Sequence, residues 1–161
     1  MTAAIILGGS HVWNEDSLES LCPRLLVPVL NAPLVSYTLN WLRAAGLTRA
    51  VICANDATRF VRACFQDGAA QGVELYYYED YTPRGPAGCS RDAAALVAAE
   101  NYLVIEGSVI PALDLRTLLR FHERMNAAVT VVVHQSEASD GQPDRDLAPA
   151  GIYVVARRVS P

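Results

Sequence analysis

The 161-residue chain contains no lysine, and all 13 of its basic residues are arginine. This absence excludes a Walker-type phosphate lysine, a Schiff-base lysine and a lysine general base. Alanine is abundant, at 24 residues, so a compositional bias of the source genome explains the missing lysine. Any side chain that meets a phosphate as a permanent cation must therefore be arginine.

Long apolar runs are also missing, and no stretch is long enough to span a bilayer. The first residues, Met1 to Ile5, lack the basic start of a secretory signal peptide. A net charge of -4 gives no support for a nucleic-acid-binding surface. We therefore expect a cytoplasmic protein with neither a membrane nor a nucleic-acid partner.

The four cysteines, Cys22, Cys53, Cys64 and Cys89, form no CxxC pair. This spacing indicates neither a zinc site nor a redox motif, and no metal-ligating residue is assigned. We expect free thiols, as in a cytoplasmic protein. Cys53 and Cys64 lie in apolar runs and are predicted to belong to the core.

What the chain does contain is a regular alternation of strand and helix patterns. Apolar runs predict buried strands at residues 3–7, 50–54, 73–78, 102–106, 128–134 and 152–155. Helical spacing is found at residues 33–45, 56–67, 91–100 and 114–126. Asp56, Ser90 and Asp114 are suited to cap the last three helices, and Pro and Gly predict a loop at 79–89.

Strands that alternate with helices predict one domain, built as a three-layer, Rossmann-like α/β fold with a mainly parallel sheet. Its length and its hydrophobic content of 52% suit a single core. Such sheets bind ligands at the carboxyl ends of their strands. Three loops are expected there: Gly8-Gly9, residues 79–89, and Gly107-Ser108.

The segment Leu7-Gly8-Gly9-Ser10 places two glycines directly after the first strand. Glycine lets the backbone approach a phosphate and offer its N–H groups. A tight turn without a ligand explains the pair equally well. The segment is not GxGxxG, so a dinucleotide fingerprint is not indicated.

Several further segments recur in the order and spacing of one enzyme family. They are Pro23-Arg24-Leu25-Leu26-Val27-Pro28-Val29, Asn31-Ala32-Pro33-Leu34, Tyr37-Thr38-Leu39, Ala45-Gly46, Gly85-Pro86-Ala87-Gly88, Tyr102 to Ser108 and Ala150-Gly151-Ile152-Tyr153. Together with the glycine pair they resemble the sugar-1-phosphate nucleotidyltransferases, also called nucleotide-sugar pyrophosphorylases. The resemblance covers essentially the whole chain and implies the nucleotidyltransferase fold. It also implies the reaction that joins a nucleoside triphosphate to a sugar 1-phosphate and releases pyrophosphate.

The resemblance assigns roles to residues of this chain. It implies nucleotide contacts from Leu7, Gly8, Gly9, Ser10, Asp80, Gly85, Pro86, Ala87 and Gly88. Arg24 falls where the family has a phosphate-binding lysine, and it is our candidate catalytic residue, with a surface salt bridge as the alternative. Asp80 falls near the base-reading glutamine, although an ionised aspartate only accepts hydrogen bonds.

The chain also departs from the family at three places. His11-Val12-Trp13 stands where the family has the arginine that holds the triphosphate. Ser108 replaces the metal-binding aspartate, although Glu106 would face the same side of an extended strand. The sugar-contacting excursion is shortened to residues 135–149. The family's second metal aspartate would lie beyond residue 161, so the resemblance implies a domain, 1–161, without the family's C-terminal part.

Three functions remain open on these grounds. The coincident losses favour a catalytically impaired domain with a regulatory, nucleotide-binding or scaffold role. The first alternative is an active nucleotidyltransferase using Mg²⁺, completed by missing residues or by a partner. The second is a protein-interaction module that uses an open sheet edge. Expected partners are a nucleotide or nucleotide-sugar, a second copy of the chain, or an active paralogue. An impaired domain would need no cofactor.

Overall fold

The computed structural model describes residues 1–9, 22–80, 84–135 and 147–157. Predictions that concern Ser10, the substituted triphosphate segment 11–13 and the shortened stretch 136–146 lie outside the described residues.

Eight strands and four α-helices make up the described structure. The strands are β1 (Thr2–Leu7), β2 (Pro28–Val29), β3 (Ala32–Pro33), β4 (Arg49–Cys53), β5 (Glu74–Tyr78), β6 (Asn101–Glu106), β7 (Val129–Gln135) and β8 (Leu147–Ala156). The helices are α1 (Leu34–Ala45), α2 (Thr58–Phe65), α3 (Gly85–Ala94) and α4 (Leu115–Met125). Short 3-10 helices lie at Arg24–Leu26, Asn55–Ala57 and Ala69–Gln71.

Six strands form one sheet in the order β5-β4-β1-β6-β8-β7. β5, β4, β1 and β6 are parallel, whereas β8 runs antiparallel to both β6 and β7. β2 and β3 form a separate two-stranded hairpin. The predicted three-layer, mainly parallel α/β fold is confirmed.

The core consists of two layers of apolar side chains, one on each face of the sheet. The larger layer packs against α1, α2 and α4 and includes Ile6, Leu39 and Leu103. The smaller layer lies beneath α3 and includes Ile5 and Val51. Because β1 is buried on both faces, it reads in the sequence as a continuous apolar run.

Two helix ends have well-defined caps, and the one at Asp114 confirms the predicted capping residue. Gly46 ends α1 in a left-handed conformation, and its N–H donates to the carbonyl oxygens of Arg43 and Leu42. Asp114 caps α4, because its carboxylate accepts a hydrogen bond from the Arg116 N–H.

The predicted loop at 79–89 and helix at 91–100 are wrong in their bounds. Gly85 begins α3, which ends at Ala94. Ser90 therefore lies inside the helix and donates from its hydroxyl to the Pro86 carbonyl oxygen at 2.7 Å, instead of capping it. Proline is tolerated in the first helical turn, where an N–H has no intrahelical partner, so Pro86 fits directly after Gly85.

Predictions for the second helix also need correction. Asp56 lies in a 3-10 turn ahead of α2, and its side chain caps neither element. Phe60 and Cys64 are exposed, whereas Val61 and Phe65 face the core. Val61 and Phe65 are four residues apart and therefore share one face of the helix, which is the face that packs into the core.

The described part of the chain contains no helix that is both long enough and apolar enough to cross a bilayer. Val129, Val131 and Val133 of the edge strand β7 are 44–46% exposed on one face of the sheet. That face is covered by α3 over β1 and β4.

Candidate functional site

The carboxyl ends of β1 and β6 form the floor of the candidate site. The Gly8 N–H donates to the Cys53 carbonyl oxygen at 2.7 Å, and the Gly107 N–H donates to the Leu7 carbonyl oxygen at 2.8 Å. These bonds continue the pairing of β1 with β4 and β6 past the last strand residue. The two glycine loops predicted from the sequence therefore lie side by side.

Leu25 explains why glycine is needed at both positions. A Cβ on Gly8 would lie 2.4 Å from Leu25 Cδ1, and one on Gly107 would lie 2.2 Å from Leu25 Cδ2. Leu25 is only 1% exposed and has no room to move aside. Packing against Leu25 is therefore sufficient to require glycine at position 8, and a role of Gly8 in phosphate binding stays a prediction.

Gly9 is exposed, and its nearest neighbour is the Asn55 side chain. A Cβ on Gly9 would lie 3.0 Å from Asn55 Nδ2. Asn55 follows β4 and has a left-handed backbone, with φ of 47°. An amide that can donate or accept thus borders the glycine loop.

Arg24 begins the 3-10 helix that carries Leu25. Because Leu25 packs onto Gly8 and Gly107, this helix is anchored beside both loops. Arg24 is half-buried. This position is compatible with a cation near the two glycine loops. The role of Arg24 in phosphate binding stays a prediction.

A groove of about 440 Å³ lies between α3 and the sheet. Three predicted nucleotide contacts line it: Leu7, Pro86 and Ala87. Most of the remaining wall is apolar, with Ile5, Ser90, Arg91, Ala94, Tyr102, Val104, Glu106, Val129, Tyr153 and Val155. Such a groove suits a flat, partly apolar ligand with a few polar groups.

The glycines of the Gly85–Gly88 segment have structural positions in α3. Gly85 has φ of 75°, in the left-handed region that glycine adopts easily. A Cβ on Gly88 would lie 2.6 Å from Arg84 Cβ. Gly88 therefore leaves room for the side chain of Arg84, the residue just before the helix.

Asp80 lines a different cavity, of about 590 Å³, together with Arg62, Tyr77, Tyr78 and Arg84. Arg84 forms an ion pair with Asp92. The pKa of Asp92 is lowered, chiefly by its hydrogen bond from Arg91. The structure thus separates Asp80 from the groove that Leu7, Pro86 and Ala87 share.

The residues at the end of β6 do not fit a magnesium ion. Glu106 and Ser108 are both exposed there. A Cβ on Gly151 would lie 3.1 Å from Glu106 Cδ, so the carboxylate packs over β8. Within the described ranges, no three or more histidine, cysteine, aspartate or glutamate side chains are grouped to hold a metal. One carboxylate and one hydroxyl are a weak donor set for Mg²⁺.

Sequence reasoning missed four residues that shape this region: Leu25, Asn55, Arg91 and Tyr153. Asn55 could have been found, because it follows a predicted strand at its carboxyl end. Tyr153 lies on β8 beside Val104 of β6, in one of the segments that resemble the family. Leu25 and Arg91 give no signal before the packing of their elements is known.

The chain matches the family model described as nucleotidyl transferase over residues 5–141. A mannose-1-phosphate guanylyltransferase of Mycobacterium tuberculosis is 27% identical over 128 residues, which cover 80% of this chain and 36% of that protein. The epsilon subunit of translation initiation factor eIF2B from Schizosaccharomyces pombe is 25% identical over 169 residues, covering 98% of this chain and 24% of that protein. The chain thus spans about a third and a quarter of these two relatives' lengths.

A solved structure has the same fold. HddC from Yersinia pseudotuberculosis, complexed with GMP-PN, superposes with a TM-score of 0.79 at 13% identity, over 99% of this chain and 79% of that one. Since the family model covers most of the sequence, the chain belongs to the nucleotidyl transferase family.

Proposed function

We propose that this chain is a catalytically impaired nucleotidyltransferase-like domain with a regulatory, nucleotide-binding or scaffold role. The observation that carries the proposal is Ser108, at the end of β6 where the family resemblance implies a metal-binding aspartate. A neutral hydroxyl cannot balance the charge of Mg²⁺. Transfer of a nucleotidyl group depends on cations that stabilise the charge developing on the phosphates.

We propose that nucleotide binding persists without catalysis, and the groove between α3 and the sheet supports this. Of the candidate contacts, Leu7, Pro86 and Ala87 line the groove, whereas Asp80 lines a separate cavity. We propose that Gly8, Gly9, Ser10, Gly85 and Gly88 contribute to the same nucleotide site. Arg24 supplies positive charge on the side of the glycine loops. Glu106 disfavours triphosphate binding, because its carboxylate lines the groove and repels a triphosphate. We therefore expect a nucleoside or a nucleotide-sugar to be held better than a free triphosphate.

One of the two relatives supports a role other than transfer. The Mycobacterium tuberculosis relative is named as a guanylyltransferase, whereas the Schizosaccharomyces pombe relative is named as a subunit of an initiation factor. This chain is therefore similar to one protein that is named for a place in an assembly. For this chain we infer a partner that is a second copy or an active paralogue, in the cytoplasm.

An active sugar-1-phosphate nucleotidyltransferase is the second candidate. Glu106 favours it, because this carboxylate lies at the end of β6 and two residues before Ser108. A protein-interaction module is the third. The position of β7 at one edge of the described sheet favours it, because an uncovered edge promotes association.

A pyrophosphate-exchange assay tests the proposal directly. The chain would be incubated with Mg²⁺, labelled pyrophosphate and a panel of nucleotide-sugars, with an active family member as the control. We expect no exchange above the protein-free background. Robust exchange by this chain alone would overturn the impaired function and support the second candidate.

Thermal-shift titration separates nucleotide binding from a pure interaction role. A ligand that binds only the folded state raises the melting temperature with its concentration. We expect stabilisation by a nucleotide or nucleotide-sugar, and a smaller shift in a Tyr153→Ala variant, which opens the wall of the groove. No shift with any nucleotide would favour the interaction module.

A further inference from the structure

Two buried cysteines meet beneath the candidate site. Cys53 is the last residue of β4 and is 2% exposed, whereas Cys89 lies in the second turn of α3 and is 8% exposed. Both belong to the apolar layer between α3 and the sheet, and α3 packs directly on β4. The two side chains are close enough for a hydrogen bond between them to be the largest influence on the pKa of each.

The other two cysteines are elsewhere. Cys64 is exposed on α2, and Cys22 is half-buried ahead of the first 3-10 helix, where its Sγ lies 3.7 Å from the Pro23 carbonyl oxygen. All four are free. The fold thus places Cys53 and Cys89 together, although no CxxC motif in the sequence indicates this pair.

The two thiols differ in reactivity. The pKa of Cys53 is raised, chiefly by its hydrogen bond to Cys89 and then by burial. The pKa of Cys89 is lowered, because it accepts that hydrogen bond. Since the thiolate is the nucleophile and Cys89 is the more exposed of the two, Cys89 would react first with a small oxidant.

We propose that Cys53 and Cys89 are a redox-sensitive pair that forms an intramolecular disulfide when the protein meets a peroxide. The Cys89 thiolate attacks one peroxide oxygen, the O–O bond breaks, and the departing hydroxide takes up a proton as water. Cys53 then attacks the resulting sulfenic sulfur and loses its proton, and the S–O bond breaks to release a second water. The two sulfurs lose two electrons in total, and the peroxide gains them.

The bond would join two walls of the candidate site. The Cys53 carbonyl holds the Gly8 N–H of the glycine loop, and Cys89 follows Pro86 and Ala87 along α3. A disulfide here would fix α3 against β4. It would also constrain the unfolded chain between positions 53 and 89, so the oxidised protein should be the more stable form.

The variant Cys22→Ser/Cys64→Ser tests the inference, because it leaves only the buried pair. Neither replaced residue lies in the core, so the variant is expected to fold. After treatment with hydrogen peroxide and removal of the excess, its thiols would be counted in denaturant. We expect both thiols to be lost, dithiothreitol to restore both, and peptide mapping to link position 53 to position 89. The oxidised form should also melt at a higher temperature.

A third substitution supplies the matched control. Cys22→Ser/Cys64→Ser/Cys53→Ser keeps Cys89 without its partner, so it should form no intramolecular disulfide and show no gain in melting temperature. Two titratable thiols in the treated double variant, at a peroxide concentration that oxidises free glutathione, would overturn the inference. So would a disulfide that links two chains on a non-reducing gel. None of these measurements uses a nucleotide, so their results do not depend on whether the proposed function is correct.

Discussion

Gly8 occupies a position where the packing of one leucine leaves no space for a methyl group. A Cβ there would lie 2.4 Å from Leu25, which is nearly completely buried. We predict that Gly8→Ala lowers the free energy of unfolding by about 2 kcal/mol, the usual cost of overpacking a core. Urea denaturation followed by circular dichroism measures this change.

Two variants control this prediction. Gly9→Ala should cost less, because Gly9 is exposed and its neighbour is the terminal amide of Asn55. In a Leu25→Ala background, Gly8→Ala should cost less than in the natural chain, because the clashing atoms are gone. Equal costs in both backgrounds would show that Gly8 is needed for another reason, such as its backbone conformation.

Ser108 is the residue on which the proposed loss of catalysis depends. We predict that Ser108→Asp makes triphosphate binding depend on Mg²⁺, since it adds a second carboxylate beside Glu106. Mg²⁺ should strengthen binding by about tenfold in this variant, equivalent to about 1.4 kcal/mol. Isothermal titration calorimetry with and without Mg²⁺ gives the ratio.

Ser108→Asn is the matched control, because it adds similar bulk without the charge. It should behave like the natural chain, in which Mg²⁺ changes the affinity little. An equal Mg²⁺ dependence in the natural chain would mean that the metal is held without Ser108, and would count against the impaired function.

At the scale of a single element, α4 shows how a predicted cap determines a pH dependence. Asp114 accepts hydrogen bonds from the Thr117 hydroxyl and the Arg116 N–H, and its pKa is lowered chiefly by Thr117. A carboxyl whose pKa is lower when folded stabilises the protein above its unfolded pKa of about 3.9. This stabilisation is lost as the pH falls through the folded pKa.

We therefore predict that Asp114→Ala destabilises the protein at pH 7 and that the difference from the natural chain shrinks in acid. Chemical denaturation at pH 7 and at about pH 3 tests both parts. Asp56→Ala is the matched control, because Asp56 caps no helix. A deficit for Asp114→Ala that stays constant with pH would contradict the carboxylate cap.

The elements also show which parts of the fold can be predicted from the sequence. Strands buried on both faces, such as β1, were predictable because continuous apolar runs leave few alternatives. The start of α3 was not, because Gly85 and Pro86 signal a loop and a first helical turn alike. The hairpin of β2 and β3 was missed because two-residue strands carry no periodicity.

The candidate site was also predictable only in part. The family resemblance implied nucleotide contacts from Leu7, Pro86 and Ala87, and these three residues line one groove in the structure. It placed Asp80 with them, whereas the structure gives Asp80 to another cavity. The walls contributed by Tyr153 and Arg91 depend on how β8 and α3 sit on the sheet, which is a property of packing and has no local signal.

At the scale of the whole molecule, the three-layer architecture predicts that two adjacent residues of β1 both contribute to stability. Ile5 and Ile6 are neighbours on β1, yet Ile5 packs in the layer beneath α3 and Ile6 in the opposite layer. Each is at most 1% exposed. In a sheet covered on one face only, truncating one of them would cost almost nothing.

We predict instead that Ile5→Val and Ile6→Val each lower the free energy of unfolding by about 1 kcal/mol, the typical effect of removing one buried methyl group. The two losses should add in the double variant, because the side chains point to opposite faces and share no partners. Urea unfolding monitored by fluorescence and by circular dichroism should give coincident transitions, because both layers depend on one sheet. A neutral Ile5→Val beside a costly Ile6→Val would mean that α3 does not pack on the sheet in solution. The groove and the cysteine pair would then lose the wall they share.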